Sequence, residues 1–475
     1  MKQTNEIYRK VILLTVSILL SIFLYQKSLG INIIITSILV YGSVFIYKRE
    51  AFSNTIVKVI SILFLIASIL VFNIQSSLSI INYFVTLFVF IGYVSTQKTS
   101  IYISLLNGFF SFIIAMFFRV LEKKTSIFPE QLIKKKETDY PYLIKLIGLP
   151  LLLIIVFTCL YKNASPVFND LINKIDLSFI NIGWILFTLT GYYILNNVTN
   201  PIQLERITKI DISTKNTLES SRFNTSNTTE LLKENMLGVV LIGSLNILIL
   251  IFITTDLIYL LTESSNQGAI LSQAVHKGVN ALITSIILAI GIILYFFRGN
   301  LNFFEKSIIL KRLAYLWILL NVIVVVITFY KNLLYVQNLG LTYKRIGVFI
   351  YLTLAIIGLL STYIKVMKAK NLWFLLRFNT TVMCCFLYIA SFLNWDQVIT
   401  KYNLNQKQHT SIDYLISLSE RNATTLYNYA TKNMEFLSEK QWRKIRVKYL
   451  KHNEVLRNHT WQELTLENFR NNEQQ

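Results

Sequence analysis

Residues 298–347, RGNLNFFEKSIILKRLAYLWILLNVIVVVITFYKNLLYVQNLGLTYKRIG, carry the pattern on which the prediction of the fold rests. A basic, aromatic connector leads into an apolar segment, which ends in the polar turn NLGLTYKR before a second apolar segment begins. An apolar run of about twenty residues is long enough to cross a bilayer core as a helix. The stretch therefore predicts two membrane spans, with the connector at one membrane surface and the polar turn at the other.

The rest of the chain repeats this pattern. Of its 475 residues, 54% are hydrophobic and 15% are charged, whereas soluble proteins average about 25% charged residues. We predict an all-α fold, a polytopic transmembrane helical bundle of about 11–13 spans with a small, soluble, helical C-terminal region. The candidate spans lie near residues 11–25, 31–47, 55–73, 79–95, 101–118, 143–161, 177–197, 237–262, 277–297, 313–330, 346–367 and 371–393.

Changes in composition along the chain suggest four parts. Residues 1–118 form an N-terminal transmembrane block, and residues 119–142 form a basic cytoplasmic loop that contains three consecutive lysines, Lys134–Lys136. Residues 143–393 form the core transmembrane domain. Residues 394–475 are polar with helical periodicity, which predicts the soluble region.

The formal net charge of +21 is first of all a signal of topology, because cytoplasmic loops of membrane proteins collect lysine and arginine. On this basis the loops 198–236 and 298–312 are cytoplasmic and the C-terminal region is external. Counting spans backward from the loop 119–142, however, places the N-terminus outside, which conflicts with the positive charge of Lys2, Arg9, Lys10, Lys48 and Arg49. One crossing more or fewer in the first block would remove the conflict, and the alternative is a reversed orientation of the whole chain.

Polar residues in or next to spans are the candidates for function, because each is costly in a bilayer unless it is paired or hydrated. Three of them could line a polar path, and the basic connector could bind anionic headgroups. Arg345 of the polar turn could pair with Asp256 or with Asp396. The candidate binding residues are Asn246, Asp256, His276, Arg298, Asn300, Arg345 and Asp396.

No motif in the sequence indicates catalysis. A zinc-binding HExxH, a phosphate-binding glycine loop and a nucleophile elbow are all missing from the sequence, so we predict no catalytic residue, metal or cofactor. The basic residues form no recognisable folded reader of nucleic acid. We therefore expect membrane lipids as partners, including anionic headgroups, and no nucleic acid.

Several ordered motifs resemble the DUF4153 and DUF4173 group of bacterial membrane proteins, especially their Bacteroidetes-type members. They are LLKENMLGVVLIGSLNILILIFITTDLIYLL, LSQAVHKGVNALI, YFFRGNLNFFEKSIILKRLAYLWILLN, LGLTYKRIGVFIYL and FLNWDQVITKYNL, between about Leu231 and Leu404. The resemblance implies a multi-pass protein of the bacterial inner membrane and assigns it no activity. The matching positions are Asn246, His276, Gly278, Arg298, Gly299, Asn300, Tyr315, Leu341, Tyr343, Arg345, Asn394, Asp396, Tyr402 and Asn403.

Three functions follow from these observations. The first is a non-enzymatic scaffold or sensor whose external C-terminal region meets a protein partner in the cell envelope. The second is a transporter or channel with a polar path through Asn246, Asp256 and His276, which would require these residues to face one another within the membrane. The third is a membrane enzyme acting on a lipid-linked substrate, which would need a carboxylate or histidine gathered in a pocket at one interface.

Overall fold

A computed structural model describes residues 2–125, parts of 149–168, and residues 181–219, 225–263, 268–406 and 411–472. Most of the predicted loop 119–142 and part of the predicted span 143–161 lie outside the described residues. Within them the regular structure is helical, apart from one isolated antiparallel bridge between Thr217 and Lys370.

Seventeen α-helices are described in these residues. They are α1 (Lys2–Leu24), α2 (Ile31–Tyr47), α3 (Thr55–Ile74), α4 (Ser77–Ser95), α5 (Ile101–Thr125), α6 (Ile182–Thr199), α7 (Glu205–Ser213), α8 (Thr225–Glu263), α9 (Gly268–Phe296), α10 (Ile308–Leu339), α11 (Tyr343–Met367), α12 (Leu372–Ala390), α13 (Trp395–Asn405), α14 (Ile412–Ser417), α15 (Ala423–Lys432), α16 (Glu439–Arg457) and α17 (Leu466–Asn472). Short 3₁₀ helices connect several of them, at Arg49–Ser53, Asn300–Asn302, Glu305–Ser307, Glu420–Asn422, Met434–Phe436 and Trp461–Glu463.

Eight helices of the described residues are long and apolar enough to cross a membrane. These segments are Ile7–Leu24, Thr55–Ile74, Ser77–Ser95, Ile101–Arg119, Thr228–Ile258, Glu305–Leu339, Tyr343–Met367 and Leu372–Ala390, and two shorter apolar helices lie at Ile31–Tyr47 and Ala281–Phe296. The prediction of an all-α polytopic helical bundle is confirmed. The chain is a multi-pass membrane protein.

Contacts divide the chain into two compact units. The first contains Met1–Tyr25 and Ile114–Asn197, and the second contains Gln26–Ile113 and Val198–Gln475. In the first unit the end of α1 packs on the start of α6, where the Tyr25 hydroxyl donates to Asn181 Oδ1 over 3.1 Å and the Tyr25 ring meets Phe187 edge to face.

In the second unit, α8, α9, α10 and α11 share one apolar core. Its fully buried side chains include Ile242, Ile293, Phe297, Leu310 and Leu359. Helices α4 and α5 approach closely at two glycines: a Cβ on Gly92 would lie 1.9 Å from the Ser104 carbonyl oxygen, and one on Gly108 would lie 1.7 Å from that of Phe88. Small residues of this kind let transmembrane helices pack backbone to backbone.

One end of the second unit is held together by Asp211 of α7. Its carboxylate accepts the backbone amide and hydroxyl of Ser100, at 2.8 and 2.9 Å, and forms an ion pair with Arg377 of α12 at 3.0 Å. The turn before α3 lies at the same end, because Gln97 donates to the Ala51 carbonyl. Lys48 and Arg49 therefore lie on the same side as residues 198–219. Their positive charge therefore agrees with that of the loop 198–236, which the sequence predicts to be cytoplasmic.

We expect the turn before α5 and the segment after α7 to be accessible from the same face of the membrane. In a chain with Cys159, Cys384 and Cys385 changed to serine, Lys98→Cys and Lys215→Cys should react with a membrane-impermeant maleimide from the same face of sealed vesicles. Lys432→Cys in the C-terminal region should react from the opposite face. Labelling of Lys98→Cys and Lys215→Cys from opposite faces would show that the arrangement around Asp211 is incorrect.

Candidate functional site

The C-terminal region is attached to the turn between α10 and α11 by the side chain of Asn403. Its Oδ1 accepts the backbone amide of Leu341 at 2.6 Å, and its Nδ2 donates to the Leu341 carbonyl at 2.8 Å. Asn403 is only 5% exposed. The amide side chain supplies one donor and one acceptor, so it pairs with the turn as a neighbouring strand would.

The turn requires a glycine at position 340. Gly340 has φ +81°, and a Cβ at this position would lie 2.5 Å from Asn403 Oδ1. A side chain would thus be strained by the backbone and would also displace Asn403. The sequence LGLTYKR is therefore matched to its partner helix α13 and not only to the local turn.

A second polar contact ties α13 to the start of α11. The Asp396 carboxylate is buried in the first turn of α13 and accepts hydrogen bonds from the Tyr343 hydroxyl, at 2.8 Å, and from the Ser419 hydroxyl. Two cations lie near it. Burial lowers the pKa of Arg421 and lowers that of Lys448 to about 8, while the negative charge of Asp396 acts in the opposite direction on both. We call Gly340, Leu341, Tyr343, Asp396 and Asn403 the tail junction.

Arg345 contacts the same turn through backbone carbonyls, and not through the carboxylate that was expected as its partner. Its guanidinium donates to the Leu339 carbonyl at 2.8 Å and to that of Gly340, and it lies 3.9 Å from the centroid of the Tyr335 ring. It thereby satisfies carbonyls at the C-terminal end of α10. The expected pairing with Asp256 or Asp396 does not occur in the structure, because these carboxylates have other partners.

The C-terminal region has a second attachment, at the turn before α2. The Leu464 carbonyl accepts the amide of Ile31 at 2.8 Å, and Glu463 Oε1 accepts the amide of Ser28 at 2.8 Å. Burial alone would raise the pKa of Glu463, but hydrogen bonds from Thr460 and Ser28 outweigh it and lower the pKa to about 2. The Glu463 carboxylate is therefore ionised at neutral pH. The two attachments of the C-terminal region lie at the same end of the second unit.

Two residues of the predicted polar path, Asn246 and Asp256, lie at different levels of α8 and have different partners. Asp256 of α8 forms an ion pair with Lys331 of α10. Asn246, ten residues earlier on α8, donates to the Leu313 carbonyl at 3.0 Å, and ten helical residues correspond to a rise of about 15 Å. His276 belongs to α9, but its side chain lies outside the described residues.

Arg298 and Asn300, the two candidates in the basic connector, have structural roles within the protein. Arg298 forms an ion pair with Glu234 at 3.0 Å and stacks on Tyr295 with its guanidinium carbon 4.2 Å from the ring centroid. Asn300 begins the 3₁₀ helix Asn300–Asn302. The positive charge of Arg298 is thus already matched inside the chain.

Sequence reasoning missed three charged residues that the structure makes prominent. Asp211 holds one end of the second unit; burial would raise its pKa, but hydrogen bonds from Ser100, Tyr102 and Arg377 outweigh this and lower the pKa. Arg377 and Lys365 lie within predicted spans, and their charge in an apolar run was the signal that could have identified them. Among the side chains that the structure describes, no group of three His, Cys, Asp or Glu residues is placed to hold a metal.

The tail junction predicts that Asn403→Ala loosens the C-terminal region. The substitution leaves the amide and carbonyl of Leu341 without partners, and each lost buried hydrogen bond costs about 1–2 kcal/mol. We expect limited proteolysis of the purified full chain to release the C-terminal region at least about tenfold faster, since about 1.4 kcal/mol corresponds to a factor of ten. Asn405→Ala, an exposed position on the same helix, is the matched control and should leave the rate unchanged. Equal rates for the two variants would contradict the junction.

Comparisons with known proteins identify one family. The family model described as "Domain of unknown function (DUF4153)" matches residues 34–429, which run from α2 to α15. No curated protein and no solved structure matches the chain. The match covers most of the chain, including the N-terminal spans from α2 onward, which contributed nothing to the resemblance seen in the sequence. This multi-pass membrane protein belongs to the DUF4153 family.

Proposed function

We propose that this protein is a non-enzymatic scaffold or sensor of the bacterial inner membrane, whose external C-terminal region contacts a protein partner in the cell envelope. The observation that carries the proposal is the tail junction. A helical region outside the membrane is joined to a membrane hairpin by buried hydrogen bonds of Asp396 and Asn403. Contacts of this kind fix the region in one position on the membrane helices.

The distribution of charge supports an external location of the C-terminal region. The end of the second unit that holds Asp211 carries most of the basic residues of its turns: Lys48, Arg49, Lys98, Arg206, Lys209, Lys215, Arg298, Lys306, Lys311, Arg312, Lys368 and Lys370. The turns that hold the C-terminal region are poorer in them, with Lys27, Lys344 and Arg345. Because lysine and arginine accumulate on the cytoplasmic side, the end with Asp211 is cytoplasmic and the tail is external.

An apolar cluster joins the C-terminal region to a membrane helix and supports a sensing role. Ile346 of α11 packs with Ile399, Leu415, Leu426, Ala430 and Ile445, which belong to α13, α14, α15 and α16. A partner that shifts these helices changes the packing around the start of α11. Close-packed cores transmit such shifts because they have little empty space to absorb them.

Transport is the second candidate, and one observation favours it. Asn321, Thr328 and Asn332 lie on one face of α10 and are buried. Within the described part of the chain, Asn332 Oδ1 and Trp317 Nε1 are buried without a hydrogen-bond partner. Buried polar atoms of this kind are commonly satisfied by ordered water, and a row of waters along α10 would be the start of a polar path.

A photocrosslinking experiment in cells that naturally produce the protein separates the two functions. Phe436 is 81% exposed in the C-terminal region, and replacing it with p-benzoylphenylalanine should give an adduct with one protein of discrete mass. Asn403→Ala in the same chain should reduce the yield severalfold, because the region is then held only by its second attachment, at the turn before α2. The same crosslinker at Lys209, on the opposite side, should not give this adduct. If Phe436 gives no protein adduct, and Asp256→Asn abolishes solute flux in proteoliposomes, transport replaces the scaffold.

A further inference from the structure

Two lysines from different helices reach the same turn at the cytoplasmic end. Lys311 of α10 donates to the Asn302 carbonyl at 2.7 Å, and Lys365 of α11 donates to the Phe297 carbonyl. Asn302 joins the two acceptors, because its side-chain amide donates to the Phe297 carbonyl at 2.8 Å. The two ammonium groups therefore lie against one short turn between α9 and α10.

The positive charge of this lysine pair is not balanced by a carboxylate. Lys365 is only 2% exposed, and among the described side chains neither lysine lies within 4.0 Å of an acidic oxygen. Arg298, Lys331 and Arg377 differ in this respect, since each has a carboxylate partner. An ammonium group has three donors, and burying a positive charge is costly when no opposite charge lies beside it. The pair thus has unused N–H donors and a positive charge that a bound anion would neutralise.

We propose that Lys311 and Lys365 bind the phosphate group of an anionic lipid from the cytoplasmic leaflet. Lys311 is partly exposed and gives access, while Lys365 is buried against the same turn and adds positive potential. A phosphate provides strong acceptor oxygens for ammonium donors, and basic pockets between transmembrane helices on the cytoplasmic side suit anionic headgroups. The candidate for headgroup contact thereby moves from Arg298, which Glu234 neutralises, to this pair.

The surroundings of the turn favour a lipid over a soluble phosphate. Ile308 and Ile309 begin α10 and are exposed apolar side chains, so acyl chains can pack beside the pair. Lys306 and Arg312 are exposed on the same connector and add attraction for an anionic surface. Exposed apolar side chains next to exposed cations are what a lipid headgroup and its acyl chains would contact at the membrane surface.

Lipid-dependent stabilisation of the purified full chain tests the proposal. In mild detergent, dioleoylphosphatidylglycerol should raise Tm by several degrees, because a ligand that binds the folded state alone stabilises it. Dioleoylphosphatidylcholine and inorganic phosphate at the same concentration should not. An equal rise with inorganic phosphate alone would assign the site to a soluble phosphate and overturn the lipid. A rise of the same size with phosphatidylcholine would overturn recognition of the anion.

Substitutions locate the effect at the pair. Lys311→Gln and Lys365→Met should each weaken binding of phosphatidylglycerol about fivefold, the factor that corresponds to about 1 kcal/mol per lysine. Lys209→Gln removes an exposed lysine on the same side and should have no effect. The lipid-dependent shift in Tm is compared, so a change in the lipid-free Tm of Lys365→Met does not interfere.

If Lys365→Met does not fold, the Lys311→Gln variant alone still tests the proposal. Native mass spectrometry of the wild-type chain and of Lys311→Gln, both purified from the same membranes, should show bound anionic lipid that is lost in the variant. Wild-type protein that carries no anionic lipid, or a Lys311→Gln variant that retains as much as wild type, would overturn the proposal.

Discussion

The pairing of the Asn403 side chain with the backbone of Leu341 is the contact on which the arrangement of the second unit depends. The turn between α10 and α11 must be narrow enough to join two long membrane helices, and Gly340 provides the positive φ that this requires. Such a turn leaves backbone groups that need partners. Asn403 supplies them from α13, the first helix of the C-terminal region. The same contact therefore satisfies the turn and positions the C-terminal region.

Charged side chains between the membrane helices are compensated by partners from elsewhere in the described residues. Asp211 with Arg377 and Asp256 with Lys331 each combine opposite charges from different helices, while Arg345 is held by carbonyls and the face of Tyr335. An ion in an apolar setting needs this compensation. Lys311 and Lys365 donate to carbonyls of one turn and form no ion pair among the described side chains, and this is why an external anion is the proposed partner.

The sequence predicted the class of fold because hydropathy reports directly on the membrane, but it predicted helix lengths less well. The span near 313–330 belongs to a helix of 32 residues, Ile308–Leu339, because Lys311, Lys331 and Asn332 find partners that keep both ends helical. Hydropathy treats such residues as the end of a span. The tertiary contact that keeps the helix going is not visible in the local sequence.

For the candidate site, the sequence named several residues but not their partners. Asp396 and Arg345 were singled out for their charge, yet Asp396 meets Tyr343 and Ser419, and Arg345 meets carbonyls. Asn403 and Leu341 are 62 residues apart, and no local pattern specifies a pairing over that distance. The charge of Lys365 in an apolar run is visible in the sequence, but its burial in the second unit is a property of the packed helices alone.

The most direct test of this account is hydrogen–deuterium exchange of the full chain, followed at the amides of Leu341 and Ile31. Both amides lie in turns, where exchange is ordinarily fast, but they donate to Asn403 and to the Leu464 carbonyl. The account predicts strong protection at both positions, and loss of protection at Leu341 in Asn403→Ala while Ile31 stays protected. Fast exchange of Leu341 in the wild-type chain would contradict the docking of the C-terminal region on the membrane hairpin.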